Sequence, residues 1–179
     1  MKLLYTFWVF LLIVSCSAEK KVGEDKSRPQ REIPSPRREA SGNAGGVNIF
    51  VDYGSPAVKG RRIWGDLEKY GRVWRAGANE TTAISFDKDA IINGEPIAKG
   101  KYALFLIPNE NEDWIVIFNL DWDEWGAFRY NQERDVLRLA VSPEWTDDSI
   151  ERLEYSIRDG KLNFQWEKVT ISRSVHAQD

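Results

Sequence analysis

The segment Gly71-Arg72-Val73-Trp74-Arg75-Ala76-Gly77-Ala78-Asn79-Glu80 places a guanidinium, an amide and a carboxylate close together, between glycines that let the backbone turn sharply. Arg75 can grip a carboxylate or phosphate in a bidentate fork, while Asn79 and Glu80 can orient a hydroxyl or act as a general base. The same residues also suit an Arg75 to Glu80 ion pair that pins the loop, and exposure separates the two readings. A second group follows at Asp121-Trp122-Asp123-Glu124-Trp125, with Tyr130 beyond it. Its spacing lacks the glycine and terminal glutamate of a calcium loop, so no metal and no cofactor are expected. If the chain is a catalyst, a hydrolase or lyase using a carboxylate pair drawn from Glu80, Asp121 and Asp123 is the available chemistry. If it is a binder, Arg61, Arg75, Asn79 and Glu80 supply polar contacts. Trp74, Trp122, Trp125 and Tyr130 then supply flat faces for a sugar ring or other planar ligand. The loop tryptophans, Trp64 among them, can instead fold inward and plug the ends of the domain.

The remaining inventory excludes much. The 179 residues contain one Cys, Cys16, and one His, His176, which lies close to the C-terminus. Zinc sites built on several His or Cys ligands, Ser-His-Asp triads and Cys-His pairs are therefore out of reach. From Val47 to Asp179 there are 17 basic against 23 acidic residues, which argues against nucleic acid as a partner, because phosphate binding relies on surplus Lys and Arg.

These residues need elements to position them, and the chain divides before it folds. Residues 1–15 carry Lys2 and then an apolar run from Leu3 to Val14. It is shorter than the roughly 20 apolar residues of a membrane span and reads as a lipoprotein signal peptide. Ile13-Val14-Ser15-Cys16 fits a bacterial lipobox, which makes Cys16 the expected lipidation site and the membrane the expected partner through that anchor. The expected location is the bacterial cell envelope, at the outer membrane, since Ser17 rather than an Asp follows the cysteine. Residues 16–46 are charged and proline-containing, with few apolar side chains, and are expected to form a disordered tether.

From residue 47 to 179 alternation takes over. Val47, Ile49, Val51 and Tyr53 share one face, and similar runs recur at 81–86, 90–92, 101–107, 114–119, 136–142, 152–157, 162–166 and 169–175. Asn93-Gly94 and Asp159-Gly160 are hairpin signals. The pattern predicts an all-β domain, an antiparallel β-sandwich or flattened barrel of about nine strands, with long aromatic loops over 60–77 and 121–134.

Four blocks then carry a resemblance: Tyr53-Gly-Ser-Pro-Ala-Val-Lys-Gly-Arg-Arg-Ile-Trp-Gly65, Tyr70-Gly-Arg-Val-Trp-Arg-Ala-Gly-Ala-Asn-Glu80, Gly100-Lys-Tyr-Ala-Leu-Phe-Leu-Ile-Pro108, and Trp125-Gly-Ala127 followed by Tyr130 and Asp135-Val-Leu-Arg138. In order and spacing they resemble the bacterial family catalogued as domain of unknown function 2911, over essentially all of Val47 to Ile171. Small departures are Ala76 where the family often has Thr, Thr81 where it often has Ala, and Lys99 where Ala is common. The resemblance implies an exported protein and lends no activity. The expectation is an envelope lipoprotein that binds a small polar ligand, a glycan or an anionic metabolite, without catalysis. A hydrolase or lyase, and a structural component of the envelope, are the alternatives.

Overall fold

A computed structural model describes residues 34–178. The signal peptide, Cys16 and most of the tether lie outside the described residues. Ten strands form two antiparallel sheets. The first sheet joins β1 (Arg37–Ala44), β2 (Val47–Gly54), β3 (Ala83–Phe86), β6 (Gly100–Ile107), β7 (Trp114–Asn119) and β8 (Asp135–Val141) in the order β1-β2-β3-β6-β7-β8. The second joins β4 (Ala90–Ile92), β5 (Glu95–Ile97), β9 (Glu144–Arg158) and β10 (Lys161–Ala177) in the order β5-β4-β10-β9. The described residues form an open sandwich, not a closed barrel.

Alternation sets which side chains meet between the sheets. Val47, Ile49, Val51 and Tyr53 point inward from β2, as do Tyr102, Leu104 and Leu106 from β6, against Leu153, Tyr155, Phe164, Trp166 and Ile171 of the second sheet. Each side chain of this size contributes about 1.5–3 kcal/mol on full burial. One end of the interior is filled by indoles. Trp64 lies 4.6 Å from Trp114 and 5.6 Å from Trp166, and Trp74 stacks on Trp166 at 5.4 Å.

The folded part begins earlier than residue 47. Arg37 to Ala44 pairs in continuous antiparallel register with β2, from Arg37 opposite Gly54 to Ala44 opposite Val47. This corrects the expected boundary of the tether. The strand escapes an alternation test because its inward residues are small: Ala40 packs against the core, Ala44 is buried, and a Cβ on Gly42 would lie 2.8 Å from Ile157 Cβ. Its charged Arg37, Arg38 and Glu39 suit an edge strand.

Beyond β7 the chain folds back over its own sheet. Residues 120–131 cover the outer face of β6 and β7, where Ala103, Phe105 and Ile117 form a second buried cluster with Val73, Ala127 and Tyr130 packed on it. The fully buried Asn119 holds both ends of this covering loop. Its Oδ1 accepts from Asp121 N at 2.9 Å and its Nδ2 donates to Asn131 O at 2.9 Å. The outer face of β1, β2 and β3 is left uncovered by this loop and is largely polar.

Candidate functional site

The edge of the covering loop and the bare half of the sheet enclose a cleft of about 330 Å³. Its floor is Asp52 on β2, Ala83 directly opposite it on β3, and Lys101 on β6, which lies opposite Ser85 on the same face. Its wall is Trp122, Asp123, Glu124 and Trp125, and Arg37, Glu80 and Thr81 close one end. Trp125 is 59% exposed and Trp122 38%. Lys101 Nζ rests 3.7 Å over the Trp122 ring centroid, so one face of that indole is taken and Trp125 is the freer platform.

The wall is fixed to the sheet by backbone and by one buried hydroxyl. Glu80 and Trp125 form an antiparallel bridge, and Thr81 N donates to Glu124 O at 3.1 Å. Thr81 Oγ1, almost fully buried, lies 2.7 Å from Glu124 O and 2.8 Å from Gly126 O. Gly126 has φ +71°, and a Cβ there would press on the Phe128 ring at 3.2 Å, so glycine permits the turn. Arg37 ties the polar end together. Its Nε donates to Asp52 Oδ1 at 2.5 Å, and its Nη1 lies 3.6 Å from Glu80 Oε2.

Four carboxylates, Asp52, Glu80, Asp123 and Glu124, thus face two cations, Arg37 and Lys101. The balance is acidic, with aromatic faces at the rim. Such a lining offers acceptors to hydroxyl or ammonium groups and repels anions. Among the described residues no group of three or more His, Cys, Asp or Glu side chains is placed to hold a metal ion.

The sequence candidates divide cleanly. Glu80, Trp122, Asp123 and Trp125 converge on the cleft. Trp74, 4% exposed, is core, with its Nε1 donating to Gly77 O at 3.0 Å. It offers no stacking surface to a ligand. Asp121 is tied to Arg134 Nε at 3.0 Å and is not part of the cleft lining. Tyr130 packs on Phe105 and donates to Asp135 Oδ2 at 2.6 Å, where burial and that carboxylate push its hydroxyl up to about 12. Asn79, with φ +64°, donates to Ser35 O at 3.2 Å, and Arg61 donates to the carbonyls of Ala57 and Val58 in its own loop.

Arg75 does not pair with Glu80, whose partner is Arg37. It sits behind the wall, its Nη1 3.7 Å from where a Gly126 Cβ would be, and its buried Nε has no hydrogen-bond partner among the described residues. Its charge and that of Arg61 act instead on Glu68. Burial raises the Glu68 carboxyl to about 7 even though both guanidiniums pull the other way. Arg37, Asp52 and Lys101 are the charged strand residues of the cleft that sequence reading missed. Their signal was strand register: each sits on the outward face of a strand whose partners become known only with the sheet order.

An open β-sandwich with a loop folded over half of one sheet, and a polar aromatic cleft at that loop's edge, is the class of protein this geometry defines. The family described as a protein of unknown function, DUF2911, matches residues 35–175, and the chain belongs to it. The match starts two residues before β1, in keeping with the early start of the fold. No curated protein and no solved structure matches the chain.

Proposed function

We propose that the domain is a non-catalytic binding module whose cleft takes a small polar ligand, a neutral sugar in preference to an anionic metabolite. The convergence of Trp125 and Trp122 with Arg37, Asp52, Glu80 and Asp123 on one open cleft carries this reading. Flat indole faces suit the apolar face of a sugar ring, and carboxylates bridged by a guanidinium suit its hydroxyls. The acidic lining disfavours carboxylate and phosphate ligands. In this reading Cys16 anchors the protein in the bacterial envelope, at the outer membrane, and nucleic acid is no partner. Titration calorimetry against monosaccharides and disaccharides and against organic acids tests it. Sugars should bind and acids should not, and Trp125→Ala should weaken sugar binding without changing the melting temperature. Binding of acids alone, or of nothing, overturns it.

Glu80 and Asp123 line the same cleft, which favours carboxylate hydrolysis as a second reading. It requires reducing ends to be released from a glycan, and that release to be lost in both Glu80→Gln and Asp123→Asn. Binding without turnover eliminates it.

A further inference from the structure

We infer that the cleft is one end of a longer groove, and that its occupant is a linear oligosaccharide laid along the outer face of β1, β2 and β3. This rests on the cleft being a sugar site. Side chains two apart on a strand share a face, so Asp52, Phe50 and Asn48 follow one another along the outside of β2, and Ala83 and Ser85 along β3. Asp52 and Ala83 floor the cleft. Further along the same face, Ser41, Asn43, Asn48, Phe50, Ser85 and Asp87 line a second depression of about 550 Å³.

The two hollows meet on one cross-strand row. Phe50 lies opposite Ser85 and Ser85 opposite Lys101, and Lys101 belongs to the cleft while Phe50 and Ser85 belong to the second depression. From Asp52 to Asn48 the floor runs four residues of extended strand, about 13 Å at 3.3 Å per residue. One sugar ring covers only part of that length, and a chain of rings covers it.

The chemistry of the second depression continues that of the first. Phe50 is 38% exposed and gives the second depression an apolar face, as Trp125 does the cleft. Around it the polar groups are held in place by each other. Asn48 Nδ2 donates to Asp87 Oδ2 at 2.7 Å, Asn48 N donates to Asp87 Oδ1 at 2.8 Å, and Asn43 Nδ2 donates to Asn48 Oδ1 at 2.9 Å. Fixed amides and carboxylates flanking an aromatic face recognise neutral hydroxyl-bearing ligands with little ordering cost. Among the described residues that line the two hollows, Arg37 and Lys101 face Asp52, Glu80, Asp87, Asp123 and Glu124, a balance that does not draw a polyanion.

Titration calorimetry with soluble cello-, xylo-, manno- and chito-oligosaccharides, from monosaccharide to hexasaccharide, tests the inference on the whole protein. For the series that binds, affinity should climb with chain length. Phe50→Ala should weaken the hexasaccharide about tenfold and leave the monosaccharide unchanged, while Trp125→Ala weakens both. Ser41→Trp, which fills the second depression from the exposed edge strand, should give the same length-selective loss, and melting curves confirm that each variant is folded. Affinity independent of length, or full hexasaccharide binding in both Phe50→Ala and Ser41→Trp, overturns the groove and leaves the cleft standing. Absence of binding by every sugar overturns both.

Discussion

The ammonium of Lys101 lies 3.7 Å above the centre of the Trp122 ring, which couples a sheet residue to the loop that walls the cleft. Replacing the charge while keeping the chain length, Lys101→Met, removes that cation–π contact. The expected loss is about 0.5–1 kcal/mol in urea unfolding, with a shift in tryptophan fluorescence as Trp122 is released. Lys101→Arg keeps the contact and should change neither.

Thr81 offers its hydroxyl to two loop carbonyls from a site sealed from water. Thr81→Val should lower stability by about 1–3 kcal/mol, since Gly126 O loses the buried hydroxyl donor while Glu124 O keeps only Thr81 N. Amide hydrogen exchange should quicken in residues 121–131 before it quickens in β6 and β7. Thr81→Ser should restore most of the protection.

Trp74 and Trp125 lie on opposite sides of the line between packing and recognition. Trp74→Ala opens a cavity next to Trp64 and Trp166 and should cost about 3–5 kcal/mol. Trp125→Ala removes a largely exposed ring and should move stability by less than about 0.5 kcal/mol. Calorimetric melting of the two variants side by side checks both.

Glu68 makes stability depend on pH. Burial raises its carboxyl to about 7 in the folded protein, whereas the unfolded chain titrates near 4.5. Between these values the native state keeps a proton that the unfolded state has released. The contribution of Glu68 to stability is therefore full below 4.5, declines as the pH rises towards 7, and is gone above it, a fall of about 3 kcal/mol. Urea midpoints at mildly acidic and mildly alkaline pH should show the decline, and Glu68→Gln should abolish it.

Much of the sandwich is legible because Val47, Ile49, Val51 and Tyr53, and Tyr102, Leu104 and Leu106, alternate with outward residues along their strands. β1 is hidden because a close approach to Ile157 demands Gly42 rather than a large apolar residue. β5 is hidden by Pro96 on a three-residue edge strand. The long β10 reads as two strands because its pairing with β9 shifts register between Gln165 and Val169, where Glu167 has φ +54°. The cleft is half legible for a related reason. Glu80, Trp122, Asp123 and Trp125 sit in loops whose composition draws notice, while Arg37, Asp52 and Lys101 are ordinary strand residues until the order β1-β2-β3-β6 sets them beside one another. Trp64 and Trp74 come from loops just as rich in aromatics, and only the position of those loops over the open end of the sandwich turns them inward.

The backbone reaches the sandwich at Ser35 and Pro36, whose carbonyls accept from Asn79 Nδ2 and Ser55 N, and the next residue is Arg37 at the end of the cleft. Tension on the N-terminal segment is therefore delivered first to the cleft margin. Arg37, bonded to Asp52 and facing Glu80, is the first residue of β1. The cleft and the point where the described backbone enters the sandwich share Arg37, so peeling β1 from β2 would dismantle the cleft before it disturbed the tryptophan-filled core.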